Sequence, residues 1–376
     1  MPEVIRDSRT SSTAQAAPAR RAEARLEVAV IDDPAALAGP WQALADRAEV
    51  VNPFLEPWFL GPALQAWGAA EGASLAVLHA PGSGALQGLV ALRPRARLAG
   101  LPLAHLEGWR HGQAFLGAPL IAPGQAARVW AALGRHCAAQ GARALVLHDL
   151  PAALPLPPGA VRLSSLTRAA LVPHPAGAAA YLAASASAGA RKDWRRLRRR
   201  LAEQGALELR RLAATEDPGP WIDAFLRLEL AGWKGRAGTA LASCAAGERF
   251  FRAMATGAAR LGRLRMIGLW LEGRPVALQC NLVSGRQGFA FKVAHDETLA
   301  AFSPGVLLEL DAVAAFHDEP RLAAVDSCTA PDNAMIARIW AERIALQRVL
   351  LPAEGAAGAL AGAAVRAAAM LRGGRA

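Results

Sequence analysis

Lysine is scarce in this sequence of 376 residues, although the chain is strongly basic. Only Lys192, Lys234 and Lys292 are present, and arginine supplies nearly all of the positive charge behind the net charge of +11. Two explanations are open: an arginine-rich, alanine-rich composition of the kind that a high-GC coding bias produces, and an anionic partner. The scarcity also draws attention to Lys292, which stands in the middle of an apolar run.

The sequence also lacks cysteine pairs, long apolar runs and several common motifs. Its four cysteines have no Cys-x-x-Cys or Cys/His spacing, so we expect buried free thiols and no metal site. No apolar run reaches the ~18 residues of a membrane helix, and residues 1–24 lack the apolar core of a secretory signal. We therefore expect a cytoplasmic protein with a disordered lead-in over 1–24. No Ser-His-Asp order, GxGxxG or Walker-type loop is present.

An internal repeat organises the chain. The hydrophobic fraction of 53% can build full cores, and the length suits two domains of roughly 150 to 180 residues. Residues 26–44 and 207–225 both show a short strand pattern, an Asp-Pro that ends it, and a Trp that opens an apolar helix stripe. A strand–turn–strand pattern follows each, over 74–96 and 264–283, and then a helix and a short apolar strand. We predict two copies of one α/β unit.

The domain boundary is expected where Pro, Gly and Ser concentrate, near 155–180. We assign an N-terminal domain to 25–165 and a C-terminal domain to 166–352. Residues 353–376 are rich in Ala and Gly and can form at most one small-residue helix, so we leave this tail outside the predicted fold.

One dense basic block covers residues 191–200. On a helix, Trp194, Leu197 and Leu201 share one face and leave the arginines on the other. Nucleic-acid binding would need further basic and aromatic elements, which the sequence does not show. We therefore expect this helix face to meet solvent, an acidic ligand or a lipid headgroup.

Lys292 lies in a predicted strand over 288–296. Strict alternation puts it about 13 Å from Asp296 on the same face, at ~3.3 Å per residue, so the two do not form a simple ion pair. The small Ala290 and Ala294 share that face and leave room for a ligand, whereas the Phe289, Phe291, Val293 and His295 side chains point the other way. A structural alternative is that Lys292 snorkels to the surface or neutralises a carboxylate.

Ser303-Pro304-Gly305 precedes a predicted helix. Free backbone N–H groups at such a helix start suit a phosphate, although many helices are simply capped in this way. The next strand, 322–326, ends in Asp326. Because ligands bind at the carboxyl ends of strands in open α/β sheets, we expect Lys292, Asp296, Asp326 and the 303–305 loop to converge on one cleft.

Trp233 and Lys234 are flanked by glycines, just after an amphipathic helix pattern. We predict that residues 231–239 form a loop that serves as a substrate lid. The alternative is a loop that is anchored by a buried Trp and exposes its Lys.

Five segments of the chain carry a family resemblance: 52–60, 191–205, 231–241, 291–308 and 325–344. Together they resemble the GNAT-superfamily acyltransferases of the CelD/BioF2-like type, which are associated with cellulose and exopolysaccharide biosynthesis and are related to the Fem-type aminoacyl ligases.

The resemblance implies an α/β fold of tandem GNAT-like mixed sheets with flanking helices. It also implies that the C-terminal copy keeps a cleft between strands 288–296 and 322–326, where acyl-CoA binds as co-substrate without a metal. The pyrophosphate would then lie on Ser303, Gly305 and Val306. The usual phosphate loop, Gln/Arg-x-x-Gly-x-Gly/Ala, is replaced here by Phe302-Ser303-Pro304-Gly305, and the Fem-type relatives use aminoacyl-tRNA instead of CoA.

The implied reaction is attack by an amine or hydroxyl of a sugar or amino-containing acceptor on the acyl carbonyl. Asp296 or Asp326 is the expected base, with Lys292 and Lys234 as electrostatic donors. Trp233 and His295 are expected to bind substrate. The predicted role is in polysaccharide or envelope biosynthesis, with peripheral association with a membrane synthase. Two alternatives stay open: a Fem-like ligase that uses aminoacyl-tRNA, and a non-catalytic assembly factor of a polysaccharide synthase.

Overall fold

A computed structural model describes residues 26–31, 34–82 and 84–373. The predicted disordered segment over 1–24 lies outside the described residues. The strands of the described chain are β1 (Glu27–Ile31), β2 (Ser74–His79), β3 (Leu86–Arg95), β4 (His105–Gly108), β5 (Leu120–Ile121), β6 (Ala144–Pro151), β7 (Val161–Leu171), β8 (Leu207–Arg211), β9 (Leu264–Leu271), β10 (Arg274–Ser284), β11 (Gln287–His295), β12 (Ala324–Asp326) and β13 (Glu342–Pro352).

The helices of the described chain flank these strands. They are α1 (Ala38–Arg47), α2 (Pro57–Ala63), α3 (Ala69–Glu71), α4 (Ala126–Ala139), α5 (Ala178–Ser185), α6 (Ala188–Ala202), α7 (Gly219–Ala231), α8 (Trp233–Arg236), α9 (Ala245–Arg260), α10 (Pro304–His317), α11 (Ala334–Ala337) and α12 (Ala356–Gly373). A π-helical turn joins α2 to α3, and short 3-10 turns cover Pro34–Leu37, Pro53–Leu55, Leu241–Ser243 and Glu297–Phe302.

One continuous mixed sheet contains all of these strands. Its order is β1-β2-β3-β4-β6-β13-β7-β12-β11-β10-β9-β8, and β5 pairs with β3 beside this path. Neighbouring strands are antiparallel except for two parallel pairs, β4 with β6 and β11 with β12. Each parallel pair requires a crossover, and α4 and α10 provide these two crossovers.

The internal repeat predicted from the sequence is confirmed. We call residues 26–151 the N-terminal repeat and residues 207–326 the C-terminal repeat. Each repeat runs strand, helical segments, three strands, helix, strand, and the N-terminal repeat adds the short β5 before its helix. In each repeat the last strand pairs in parallel with the last of the three strands, β6 with β4 and β12 with β11. The predicted strand–turn–strand segments are β2–β3 and β9–β10.

The middle of the sheet is built by strands that follow each repeat and cross to the other one. Strand β7, which follows the N-terminal repeat, pairs with β12 of the C-terminal repeat. Strand β13, which follows the C-terminal repeat, pairs with β6 of the N-terminal repeat and with β7. The boundary expected at 165/166 therefore falls inside β7, and each half of the sequence completes the sheet of the other half.

A single hydrophobic core spans both repeats on one side of the sheet. It includes Trp41 and Phe54 from the N-terminal repeat and Phe225 and Phe250 from the C-terminal repeat, all fully or almost fully buried. On the other side the cores are separate: α4 packs on the N-terminal repeat, and α10 packs on the C-terminal repeat. The shared core and the exchanged strands tie the two repeats into one body.

The Ala/Gly-rich tail forms the one helix expected of it, and that helix packs on the sheet. Val365 of α12 is buried with Leu98, Val146 and Leu350. Within the described ranges, no helix has both the length and the apolar character needed to cross a membrane.

The four cysteines are free thiols, as expected, but they are not all buried. Cys137, Cys280 and Cys328 are buried, whereas Cys244 is exposed. The expectation was wrong for Cys244 because this residue caps α9: its Sγ accepts a hydrogen bond from the Gly247 N–H at 3.4 Å.

Candidate active site

A cleft opens in the C-terminal repeat where β11 and β12 separate. The two strands pair only over Gln287–Phe289 and Ala324–Asp326. Beyond these residues a cavity of about 350 Å³ lies between them, lined by Ala290 to His295 of β11 and by Ser327, Cys328 and Thr329 after β12. Beyond Phe289, β11 is paired with β10 alone, so one edge of the strand faces this cavity without a strand partner.

The side chains of β11 do not alternate as predicted. The register between β10 and β11 shifts between Cys280 and Leu282, so β11 carries an extra residue there. Ala290 packs with the core around α10, whereas Ala294 belongs to the core on the other side of the sheet. The prediction that these two alanines share one face with Lys292 is therefore wrong, because the bulge inverts the alternation within the strand.

Lys292 presents its amino group to this cavity. Its Nζ lies 5.4 Å from the centre of the Phe291 ring, and it makes no hydrogen bond or ion pair within the described chain. Burial lowers the pKa of the Lys292 amino group to about 8. The neighbouring Glu229 carboxylate acts to raise this pKa, and the Lys234 cation acts to lower it. The group therefore carries most of its charge at neutral pH, without a partner of its own.

Lys234 lines the same cavity but, unlike Lys292, has partners within the chain. Its Nζ donates to Glu229 Oε1 at 2.9 Å and to the Val293 carbonyl at 3.1 Å. The other oxygen of Glu229 accepts a hydrogen bond from the Leu241 N–H at 2.8 Å. Lys234 thus joins α8 to β11, and the Glu229 carboxylate is satisfied without Lys292.

Trp233 and Lys234 lie on a single helical turn, α8, and not in the loop that was predicted. The turn folds back so closely on α7 that a Cβ at Gly235 would stand 1.7 Å from the Leu230 carbonyl oxygen. Only glycine permits this approach. The flanking glycines that favoured a loop therefore serve a tight helical reversal.

The α8 turn is fastened to the segment before α10. The Trp233 N–H donates to Glu297 Oε1 at 2.6 Å, and the Arg236 guanidinium pairs with the same carboxylate. The hydrogen bond from Arg236 holds the pKa of Glu297 below its usual range. The indole of Trp233 is 56% exposed and lines the cavity, so it is available to a ligand.

Glu309 is a buried carboxyl group in the cavity wall that the sequence reading missed. Its oxygens accept hydrogen bonds from Gln279 Nε2 at 2.6 Å and from Trp340 Nε1 at 2.8 Å. Burial raises the pKa of Glu309 to about 7, although the two hydrogen bonds act to lower it. The signal was present in the sequence: Glu309 stands on the buried stripe of α10 with Gly305, Ala312 and Phe316.

The Glu309 contacts determine the orientation of two neighbouring amides. Because the Trp340 indole can only donate, and Gln279 gives its Nε2 to the carboxylate, Gln279 Oε1 is left to accept from Asn281 Nδ2 at 3.1 Å. Asn281 Oδ1 is then left buried without a donor in the described part of the protein. An unpaired buried acceptor in a cavity wall is a place where a ligand N–H or O–H gains a hydrogen bond.

The start of α10 offers less for an anion than the sequence led us to expect. Ser303 adopts a left-handed conformation with φ of 51°, and its carbonyl accepts the N–H groups of Val306 at 3.0 Å and Leu307 at 3.1 Å. Pro304 has no N–H, so Gly305 supplies the one unbonded amide of this first turn. The His295 ring, which lines the cavity, lies against Gly305: a Cβ there would stand 3.2 Å from its Nδ1.

Asp296 and Asp326 both serve local structure. Asp296 caps the following 3-10 turn and accepts the Thr298 N–H at 2.9 Å and hydroxyl at 2.6 Å. The buried Asp326 carboxylate pairs with the Arg168 guanidinium through contacts of 2.7 and 2.5 Å and also accepts the Cys328 N–H. Neither carboxylate lines the cavity.

The structure therefore divides the predicted site residues into two groups. The cavity brings together Lys292, Lys234, Trp233 and His295. The predicted residues that do not line it are Asp296, Asp326, Ser303, Gly305 and Val306. Within the described ranges, no group of three or more His, Cys, Asp or Glu side chains is arranged to hold a metal ion.

Residues 188–333 match the family model of the GNAT acetyltransferase domain. This segment contains both strands of the cleft and every residue that lines the cavity except Phe115, Met335 and Ile336, so the match falls on the cavity. A search of curated proteins returned no match.

Three solved structures share the fold of nearly the whole chain. A conserved protein of unknown function from Bacteroides thetaiotaomicron has a TM-score of 0.57 at 10% identity, covering 86% of this chain and 100% of that one. The C-terminal domain of a putative lysylphosphatidylglycerol synthetase from Agrobacterium fabrum has a TM-score of 0.54 at 13% identity, covering 89% and 97%. FemX has a TM-score of 0.50 at 10% identity, covering 86% and 96%.

The predicted fold class, a tandem GNAT-like α/β fold of mixed sheets with flanking helices, is confirmed by the two repeats and by the family match. GNAT domains in general use acyl-CoA as co-substrate. The match and the fold together support a transferase.

Proposed function

We propose that this protein transfers an acyl group from acyl-CoA to an amine or hydroxyl of a small-molecule acceptor. The observation that carries the proposal is the cavity of about 350 Å³ between β11 and β12, within the segment that matches the GNAT domain. Its walls hold a charged amine without a partner, Lys292, and a carboxyl group whose pKa is near neutrality, Glu309.

The edge of β11 that has no strand partner supports acyl-CoA as the donor, with its Val293 carbonyl already bonded to Lys234. An extended ligand with amide groups can add to an unpaired strand edge through main-chain hydrogen bonds, and the arm of CoA is such a ligand. The donor would lie along β11 beyond Phe289, with the unbonded Gly305 amide at the nearby helix start. In this proposal Ser303 and Val306 shape the helix start and do not hold the phosphate by their amides.

Glu309 is the base in this proposal. A general base works best when its pKa lies near the working pH, and the raised pKa of Glu309 meets this condition. The acceptor nitrogen or oxygen bonds to the acyl carbon, and Glu309 takes its proton directly or through one water. The carbon–sulfur bond then breaks, and the CoA thiolate that leaves takes up this proton from Glu309 to give the thiol. Asp296 and Asp326, the bases expected from the sequence, do not line the cavity, whereas Glu309 does. Lys292 supplies positive charge to the cavity, and Lys234 holds Glu229 in place.

On the basis of the sequence resemblance, we extend the proposal to an enzyme of the CelD/BioF2-like type with a role in polysaccharide or envelope synthesis. A sugar or an amino-containing precursor is then the acceptor, in the cytoplasm, with peripheral association with a membrane synthase. The exposed Trp233 indole in the cavity wall supports this acceptor class, because an aromatic face can pack against a sugar ring.

A second candidate is aminoacyl transfer from tRNA. Two of the structural neighbours are named as FemX and as a putative lysylphosphatidylglycerol synthetase, and α6 exposes Lys192, Arg195, Arg196 and Arg199. If tRNA binds there, reversing the charge of the three arginines will abolish activity and reduce its salt dependence. If activity and salt dependence stay unchanged, the tRNA reading fails.

Calorimetry with acetyl-CoA and longer acyl-CoAs tests the main proposal, together with the release of free thiol in the presence of amine and hydroxyl acceptors. We expect Thr329→Phe, which fills the cavity from its wall, to weaken binding at least tenfold. Thr167→Phe on the exposed face of β7 is the matched control and should bind as the wild type does. No binding of any acyl-CoA by the wild type, or wild-type binding by Thr329→Phe, would overturn the proposal.

A further inference from the structure

We infer that Lys292 binds an anionic group, a carboxylate or a phosphate, that the ligand of this cavity carries. This inference rests on the proposed function because it assigns ligand chemistry to the same cavity.

The carboxylates around the cavity all have donors of their own. Glu229 accepts from Lys234 and from the Leu241 N–H. Glu297 accepts from the Trp233 N–H and from Arg236. Glu309 accepts from Gln279 and Trp340. Within the described chain, none of these three carboxylates is therefore bonded to Lys292. Lys292 is the cavity cation that they leave without a bond.

Two thiols lie close enough to Lys292 to act on it, but neither neutralises it. Burial raises the pKa of Cys280 to about 12 and raises the pKa of Cys328 well above its usual value. Both groups therefore stay protonated and uncharged at neutral pH. An amine that is held in a largely buried place without a hydrogen-bonded counter-ion is destabilised, and an anion from outside would relieve this.

The same cavity offers a second donor to an anion. The Ser327 and Thr329 hydroxyl oxygens lie 3.0 Å apart, and both residues line the cavity. One hydroxyl donates to the other, which leaves one hydroxyl proton free for a ligand oxygen. An oxyanion of the ligand therefore finds both charge and a neutral donor in one cavity.

The anion has two possible sources, an acidic acceptor or the phosphates of CoA, and the experiment separates them. Since the chain has three lysines, ¹³Cε-lysine labelling gives three side-chain signals, which Lys→Arg variants assign one at a time. The probes are glucuronate against glucose, and CoA against pantetheine. Lys192, exposed on α6, is the internal control for simple ionic strength.

We expect a saturable shift of the Lys292 signal, and a rise of its pKa from about 8 toward the usual 10.5, with at least one charged probe and with neither neutral probe. A response to glucuronate identifies an acidic acceptor as the source, and a response to CoA but not to glucuronate identifies the phosphates. No saturable response of Lys292 to either anion, or a response no larger than that of Lys192, would overturn the inference.

Two variants complete the test. Lys292→Met should weaken binding of the effective anion at least tenfold and leave its neutral counterpart unaffected, whereas Lys292→Arg should keep most of the affinity. Equal loss for the charged and the neutral probe would contradict the inference. If acetyl-CoA binds and thiol is released while Lys292 stays silent, this inference fails alone; if Lys292 responds to glucuronate while no acyl-CoA binds, the proposed function fails alone.

Discussion

The two repeats have the same fold, but the space beside the parallel strand pair is open in one repeat and filled in the other. In each repeat, a parallel pair of strands meets over two or three residues, β4 with β6 and β11 with β12. In the C-terminal repeat the strands then separate around a cavity of about 350 Å³, whereas in the N-terminal repeat the cavity that is lined by Gly108 at the end of β4 and by Trp109 and Gly117 after it measures about 10 Å³. The difference lies in what occupies the space between the two parallel strands.

The N-terminal cleft is filled by its own chain. The segment after β4 crosses β6 so closely that a Cβ at Gly117 would stand 2.3 Å from the His148 carbonyl oxygen. The aromatic rings of Trp67, Trp109 and Phe250 pack around His111 in the same region. No ligand of substrate size fits the cavity that remains.

The charged groups of the two clefts also differ in how fully they are paired. In the N-terminal cleft, Glu107 pairs with Arg93, Arg95 and His148, and these partners, His148 most of all, hold the pKa of Glu107 well below its usual range. In the C-terminal cleft, Lys292 has no partner and Glu309 titrates near neutrality. Charges that satisfy one another stabilise a structure, whereas those left unsatisfied inside a cavity are available to a ligand.

The largest expected effect concerns the joint between the repeats. Arg168 of β7 and Asp326 of β12 form a buried ion pair where the strands cross over. Arg168→Met should lower the free energy of unfolding by roughly 3–5 kcal/mol, because it leaves the Asp326 carboxylate buried without a counter-charge. Urea unfolding measures the change.

The double variant Arg168→Met/Asp326→Leu should recover much of that loss, since no charge is then buried alone. Arg252→Met is the matched control: Arg252 also pairs with two carboxylates, Asp223 and Glu248, but it is exposed. We expect it to cost about 1 kcal/mol or less. Equal losses for Arg168→Met and Arg252→Met would show that the joint does not depend on the buried pair.

The next effect is on catalysis in the open cleft. Glu309→Gln should lower kcat/KM roughly 100-fold or more, as expected for the loss of a general base. In the wild type, kcat/KM should rise with pH through about 7 as Glu309 loses its proton, and fall above about 8 as Lys292 loses its charge. A pH profile of Glu309→Gln that keeps the limb near 7 would assign that limb to another group.

The same carboxyl group predicts a change of stability with pH. The pKa of Glu309 is raised in the folded protein from 4.5 to about 7, so the folded state holds a proton that the unfolded state has lost between these values. The free energy of unfolding should therefore fall by a few kcal/mol as pH rises from 4.5 through 7. Glu309→Gln should remove this decrease, while Glu203→Gln on the exposed end of α6 should keep it. Parallel pH curves for the wild type and Glu309→Gln would contradict the assignment.

The smallest effect is expected in the closed cleft. His111 is buried, and both of its ring nitrogens lack a partner in the described chain. His111→Phe should either lower the free energy of unfolding at neutral pH by about 1 kcal/mol or less, or raise it. The reason is that the ring packing is kept and two unsatisfied polar atoms are removed. Activity should stay unchanged.

His111 also gives an acid-stability test of the same comparison. Burial, with a smaller effect from the Arg110 cation, lowers the pKa of His111 from 6.5 to about 3. The unfolded state then binds a proton that the folded state does not between these values, so wild-type stability should fall as pH drops from 6.5 toward 3. His111→Phe should reduce this fall. A loss of transferase activity in His111→Phe would show that the N-terminal cleft is not purely structural.

Much of the fold could be predicted from local patterns. The strand and the Trp-bearing helix that open each repeat, the two hairpins and the crossover helices all lie where the sequence places them, because each depends on the spacing of apolar residues within one segment. The exchange of β7 and β13 could not be predicted, since strand partners far apart in sequence are chosen by packing and not by any local pattern.

The candidate site was predicted in part for the same reason. The sequence pointed to Lys292 as a lysine out of place in an apolar strand, and to Lys234, Trp233 and His295 beside it, and the cavity brings these four together. The sequence could not show that a bulge inverts the alternation of side chains in β11. Nor could it show that Asp326 pairs with Arg168, which is 158 residues away in the chain.

By itself, then, the sequence determined the α/β repeat, the cleft-forming strand and the unusual lysine within it, because these follow from composition and short-range periodicity. The tertiary structure alone decided which charges remain without partners. That outcome depends on contacts between distant segments: Trp340 and Gln279 hold Glu309, Glu229 goes to Lys234, and Lys292 is left to face the cavity alone.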